Sequence, residues 1–393
     1  MSVFGSRRRN SVRLQATQAC ESRTLLAGVS FVSKGDVFAA NGTPDADQIT
    51  ISIQEGFLII DFNGELIHTK VDAGKLKVVH IRGMAGDDQI TLDKSLESIS
   101  CILSGLDGDD TLIANNSGAN LFRGGAGKDF YIGGFGMDKI TVDESDAIDS
   151  ITDQGGNRDT LIASGFREGL TVKGLRDIES IYGTEFNDTL DFSSMESAVR
   201  IFGQGGDDTI YSGSGHDYIY SGMGNDVVYG GAGNDFLQGG DGEDLLDGQE
   251  GINTVSYGGS PKGVNVDLNE GYAEDGFGTK DQIKNFVNLT GSSFDDKLIG
   301  TAESNIIRGN AGHDSISGQD GDDVLWGGAG NDTLVGGRGS DVVMGESGDD
   351  VLIGGIDQST GDGELDWILG GSGYDTSYGL EKITILGVEN INK

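Results

Sequence analysis

Proline and cysteine are nearly absent, at 2 residues each in 393. Two thiols far apart, Cys20 and Cys101, cannot form the disulfide framework that staples small secreted domains. No apolar run approaches the roughly 18 residues of a membrane-spanning helix. Basic side chains are scarce: 27 Lys and Arg against 64 Asp and Glu give a net charge of -37. No basic surface remains to neutralise phosphates, which excludes nucleic acid as a partner. There is no His-Glu-x-x-His, so zinc-protease chemistry is excluded, and no Gly-x-Ser-x-Gly nucleophile elbow. The acidic residues fall at repeat positions, where paired catalytic carboxylates cannot be told from metal ligands.

Glycine is what the chain has in excess. With 68 Gly and so little proline, the composition points to a repeat solenoid stacked along one axis. Residues 203–256 form six nine-residue units without a gap, beginning Gly203-Gln204-Gly205-Gly206-Asp207-Asp208-Thr209-Ile210-Tyr211. Position six is acidic in five units (Asp208, Asp217, Asp226, Asp235, Asp244) and Asn253 in the last. Position eight is always aliphatic: Ile210, Ile219, Val228, Leu237, Leu246 and Val255. This spacing reads as a glycine-rich turn followed by a short strand with one side chain pointing inward, two units making one flattened coil. One buried aliphatic per unit does not offset the entropy of ordering so much glycine, and stacked coils bring columns of aspartates together. A cation must sit between them. Carboxylates and turn carbonyls, without sulfur or imidazole, select calcium over magnesium or zinc.

The pattern Gly-Gly-x-Gly-x-Asp-x-aliphatic-x stands at 133–141, 230–238, 239–247, 327–335 and 336–344, and at 124–132 and 370–378 with Tyr131 and Ser377 at the aliphatic position. It resembles the RTX, or hemolysin-type, calcium-binding repeat. The resemblance implies an all-β, right-handed parallel β-roll with each calcium between turns one coil apart. Asp208 is then expected to share an ion with Asp226, Asp217 with Asp235, and Asp226 with Asp244. The ligands it implies are Asp88, Asp110, Asp129 and Asp138 in degenerate copies, the five central aspartates above, and Asp314, Asp323, Asp332, Asp341 and Asp350 in the last array. The turn glycines Gly206, Gly215, Gly224, Gly233, Gly242, Gly312, Gly321, Gly330 and Gly339 complete the set.

Around this pattern the chain divides into seven stretches. Residues 1–28 are basic, and 21–27 resemble the Leu-Glu-Pro-Arg-x-Leu-Leu segment of bacterial envelope and secreted proteins, with Cys20 and Ser22 as departures; a sorting or disordered segment is expected. Residues 29–82 read as an antiparallel meander, with strands at 48–54, 57–62, 65–71 and 76–81, that caps the solenoid against open edges. Residues 83–202 carry degenerate repeats, 203–256 the central roll, and 257–290 a wider inserted coil with its strand at 264–268. Residues 291–378 hold the last roll, interrupted by a loop at 356–364, and 379–393 a far cap. Two matching segments, 178–190 and 286–298, introduce the arrays; in them Phe186 and Phe294 replace the fourth-position glycine and are expected to plug the first coil.

The functional expectation is a calcium-binding module without catalysis, secreted or at the cell surface, that folds on calcium and acts as a scaffold or adhesive, with cell-surface or extracellular polysaccharide as a candidate partner and a monomeric state. The alternative is a calcium-dependent β-solenoid enzyme acting on polysaccharide, an epimerase or lyase.

Overall fold

A computed structural model describes residues 23–24, 29–143, 151–152, 154–155, 158–163, 165–173, 175, 177–355, 366–378, 384–386 and 390–392. The sorting segment expected at 1–28, apart from the strand Arg23–Thr24, and the loop expected at 356–364 lie outside these residues.

In the repeats the chain alternates between two facing sheets, laying one strand in each per coil. The first face is one continuous sheet of 19 strands, and the second is divided into sheets of 7 and 14. From Val78–Ala85 onward the strands of the first face pair in parallel with the coil before and the coil after. The central register is eighteen residues, Tyr218 opposite Phe236 and Ile219 opposite Leu237, which is two nine-residue units. The position-eight aliphatics of both faces, from Ile210 to Val255, are fully buried in one stack between the sheets. Such strands bury one side chain each, so the roll has a core only one residue wide.

The N-terminal cap is built as expected from antiparallel strands Gln48–Gln54, Phe57–Phe62 and Glu65–Asp72, and the first of these carries the second face onward in parallel through Gln89–Leu92. The fourth strand expected in that meander belongs elsewhere. Residues 76–81 contribute to Val78–Ala85, which pairs in parallel with Val37–Asn41 and Ser100–Asp107 on the first face. Its alternation of buried Val79 and Ile81 suits either environment, and only the long-range pairing separates them.

The insert, expected as a wider coil, is built from antiparallel strands. Asn265–Asp267 runs antiparallel to Tyr272–Glu274, and that strand antiparallel to Lys280–Lys284. This three-stranded element sits within the second face between Leu245–Asp247 and Lys297–Ile299. On the first face Thr254–Ser256 pairs directly with Asn288–Thr290. The second face therefore gains two strands there, about 10 Å at the usual strand spacing.

Phe186 and Phe294 are exposed at 41% and 46% and plug nothing. The first coil of each array is closed by hydroxyl groups, as described below.

Candidate metal centre

Every turn of the roll places its position-six side chain inside the turn, against the backbone of its neighbour. Asp226 Oδ1 accepts from the Asp208 amide at 2.8 Å, and Asp244 Oδ1 from the Asp226 amide at 2.9 Å. On the opposite edge Asp235 Oδ1 accepts from the Asp217 amide at 2.9 Å. The same link joins Asp296 to Asp314, Asp314 to Asp332, and Asp332 to Asp350, while Asp323 follows Asn305 and Asp341 follows Asp323. In the degenerate region it runs from Asp47 through Asp88 and Asp110 to Asp129, with Asp138 and Asp159 on the other edge. All of these carboxylates are buried.

The second carboxylate oxygen is where the chemistry lies. Oδ2 of Asp88, Asp110, Asp159, Asp208, Asp226, Asp235, Asp244, Asp314, Asp323, Asp332 and Asp350 is buried without a hydrogen-bond donor. In most turns of the two regular arrays that oxygen points at the position-one glycine of its own turn, together with the carbonyl oxygen of the position-one residue one coil on; Asp226 has Ser221 at that position. A Cβ built on Gly309 would collide with Asp314 Oδ2 and lie 2.6 Å from the Gly327 carbonyl oxygen; on Gly318 it would meet Asp323 Oδ2 and the Gly336 carbonyl at 2.7 Å. Gly327 and Gly345 repeat the arrangement, with the carbonyls of Gly345 and Gly370 at 2.9 and 2.7 Å. A carboxylate oxygen and a carbonyl oxygen thus face one point, with no donor for the carboxylate oxygen. Two buried acceptors facing one another call for a cation. Among the described residues no three acidic, histidine or cysteine side chains converge; the donor set is carboxylate plus main-chain oxygen, which suits a hard ion with flexible coordination.

A family model for the RTX calcium-binding nonapeptide repeat, in four copies, matches residues 104–140, 200–228, 220–255, 290–325 and 326–360. The chain carries RTX calcium-binding repeats over those residues. No curated protein matches it.

Not every RTX turn leaves an oxygen open. Asp217 Oδ2 takes the hydroxyl of Ser212, which stands where the regular units have the position-one glycine. Asp138 Oδ2 takes the Gly134 amide at 2.5 Å, while its Oδ1 accepts from the amide and side chain of Asn120. Where asparagine replaces aspartate at Asn253, its amide does the cation's work, Nδ2 donating to the Asn285 carbonyl at 3.2 Å; Asn305 instead turns Nδ2 back to the Val287 carbonyl at 2.7 Å and keeps Oδ1 towards Gly300.

The position-four glycines have a different duty. Gly206, Gly224, Gly233, Gly242, Gly312, Gly321, Gly330 and Gly339 all have positive φ, and a Cβ on Gly233 or Gly330 would run into the carbonyl of Gly215 or Gly312 one coil away. They let the turns stack. Gly215 keeps an ordinary φ. The position-one glycines Gly309, Gly318, Gly327, Gly336 and Gly345, absent from the expected ligand set, are the ones that face the carboxylate oxygens. Their sequence signal is a glycine that recurs without any positive φ to require it. Asp281 was missed as well: it lies outside the nine-residue register, yet its Oδ1 accepts from the Asp244 amide at 3.1 Å and its Oδ2 from the Tyr257 hydroxyl at 2.9 Å.

A second column runs along position five. Asn225 Oδ1 accepts from the Glu243 amide at 2.8 Å, Asp207 Oδ1 from Asn225, and Asn331 Oδ1 from Asp349. His216 and His313, exposed on their turns as expected, use Nδ1 in the same way at 2.7 Å. Most position-five residues of the regular arrays are therefore acceptors, with Ile252 an exception at the end of the central array.

Burial and neighbouring carboxylates raise the aspartate pKa values. Asp208 and Asp244 reach about 8, driven first by desolvation and then by adjacent aspartates. Asp110, Asp235, Asp314 and Asp323 reach about 7 for the same primary reason, and Asp226 about 6. Without a counter-ion these groups hold protons near neutrality.

Proposed function

We propose that this chain is a non-catalytic module of a secreted or surface protein, folded by calcium and serving as a scaffold or adhesive surface. The observation that carries this reading is the row of buried Oδ2 atoms facing position-one carbonyls. Calcium bound there would supply the positive charge that both oxygens need, and it would do so only in the stacked coils. Ligand binding to the folded state alone stabilises that state by mass action. The -37 charge adds to the demand, because self-repulsion opposes compaction. At the affinities typical of extracellular calcium modules, about 10⁻⁴ to 10⁻³ M, the roll stays open at intracellular calcium and closes outside the cell.

The adhesive part of the reading is supported by the first face. Within its strands from Val78 to Leu369 the residues flanking the inward core side chain carry no acidic group, and Asp107, Asp241 and Glu346 are exposed only towards the strand ends. The flanking positions present Arg123, Lys139, Arg200 and Arg308 with a row of rings, Tyr182, Phe202 and Tyr220, stacked at 4.6 and 5.3 Å. Arg308 lies over the Trp326 ring at 4.5 Å. Sparse cations along a flat sheet fit a polysaccharide with widely spaced carboxylates. The Asp281–Tyr257 pair is buried and has no path to a chain-like substrate.

The test is far-ultraviolet circular dichroism with hydrodynamic radius, first in chelator and then in rising millimolar calcium. Strand signal and compaction are expected to appear together as calcium rises; a chain already compact in chelator overturns the folding role. For adhesion, retention of an acidic polysaccharide by the calcium-loaded chain is expected to fall at least about tenfold in the Arg200→Glu, Arg308→Glu double variant, a loss equivalent to one tenfold step in affinity.

A further inference from the structure

The opening turn of each array is closed by the protein's own donors, and the closure has one recurring form. A serine or threonine stands four residues before the column residue. Thr184 gives its amide to Asp188 Oδ2 and its hydroxyl to Asp188 Oδ1, both at 2.7 Å. Ser292 does the same for Asp296 at 2.6 and 2.7 Å. Thr43 gives amide and hydroxyl to Asp47 Oδ2 at 2.6 and 3.0 Å. In the fourth case Thr301 gives its amide to Asn305 Oδ1 at 2.7 Å and its hydroxyl oxygen accepts from Asn305 Nδ2 at 3.0 Å. Each closed turn is also tied to the segment before it: Leu170 donates to Asp188 Oδ1 at 2.5 Å and Val264 to Asp296 Oδ1 at 2.8 Å, and Asn63 of the cap to Asp47 Oδ1 at 2.9 Å.

The far end of the central array is closed too. Tyr257 caps Asp281, and Asn253 turns its amide to the Asn285 carbonyl. A buried carboxylate whose oxygens both receive N–H or O–H donors is satisfied as it stands, whereas one with an orphaned oxygen is not. Asp138 and Asp217 are closed within their arrays; apart from them the two kinds of turn are segregated, with orphaned oxygens in the array interiors and closed turns where the arrays meet the cap, the 160–192 stretch and the insert.

We propose that the closed turns exclude calcium and make the cap, the 160–192 stretch and the insert metal-independent seeds, between which calcium zips the arrays. This rests on the calcium reading above and adds an order to it: the chain folds as ordered islands first and as a continuous roll second. In a solenoid each coil contacts only its neighbours, so a preformed edge at the start of an array removes the need to nucleate there.

Two measurements test this. Hydrogen exchange of the wild-type chain in chelator is expected to be at least about tenfold slower at 57–72, 184–192 and 280–298 than at 222–247 and 324–347. Uniform exchange across all five segments overturns the proposal. Counting bound calcium by native mass spectrometry on Ser212→Gly, which removes the donor that closes Asp217, is expected to give one more ion than wild type; an unchanged count overturns the exclusion of calcium from closed turns. If that variant fails to fold, the wild-type exchange pattern still decides. A wild-type chain that takes up no calcium sinks the calcium reading itself, and this proposal with it.

Discussion

Gly309 has no positive φ, so its backbone does not ask for glycine; the space beside it does. A methyl group there would press on Asp314 Oδ2 and on the Gly327 carbonyl. Gly309→Ala is therefore expected to weaken the calcium site at Asp314 and to cost about 1–3 kcal/mol, the usual penalty for overfilling a packed position, read as a lower melting midpoint in saturating calcium. Gly309→Ala in chelator should look like wild type. Asp226 tests the columns in another way. Its Oδ1 holds the Asp208 amide and its own amide is held by Asp244, so Asp226→Ala disturbs both neighbours. Calcium titration calorimetry should show its effect adding to that of Asp235→Ala within about 0.5 kcal/mol, as for separate sites, and failing to add to that of Asp208→Ala. Additivity in both pairs would refute the assignment of Asp208 and Asp226 to one column.

At the scale of one turn, two parallel ladders hold neighbouring coils together: position six inside and position five on the surface. Asn234 Oδ1 accepts from the Ile252 amide at 2.9 Å, and the Asn234 amide donates to His216 Nδ1 at 2.7 Å. Asn234→Asp keeps the acceptor and should melt like wild type in calcium. Asn234→Leu leaves the Ile252 amide without its partner and should lose about 1 kcal/mol, the net worth of one such bond. Equal melting of the two variants would mean that the outer ladder contributes nothing. The insert shows the limit of reading elements from pattern. Residues 264–268 alternate as a strand should, and the strand is present, but its partners are antiparallel and from its own segment.

For the whole molecule, the raised aspartate pKa values set a pH dependence. The folded, calcium-free roll binds protons at pKa values of about 6 to 8, whereas an unfolded aspartate releases its proton near 3.9. The folded state holds more protons throughout that interval, so stability falls as pH rises from about 4 to about 8. In chelator, lowering the pH from 8 to 5 should therefore increase strand content and compaction by circular dichroism. In calcium the sense reverses, because protons and the ion compete for the same oxygens, and the calcium concentration at half-folding should rise as pH falls. A chelated chain indifferent to pH would show that the aspartates are not buried without calcium.

The nine-residue period alone determined the all-β roll, the inward position-eight stack and the choice of a hard cation, because each follows from spacing and side-chain chemistry within one unit. The stacking glycines were legible for the same reason: Gly233 and its equivalents announce a turn that only glycine adopts. What the period could not carry is anything that depends on the next coil. Asp217 and Asp226 look alike in sequence, yet one carboxylate is closed by Ser212 and the other is left open. Phe186 and Phe294 drew attention as plugs, while Thr184 and Ser292 beside them close the turn. Asp281 stands thirty-seven residues from Asp244 and joins its column only because an antiparallel insert returns the chain to the right height. Which oxygens are satisfied is decided by donors brought from another coil, and those meet only once the roll is stacked.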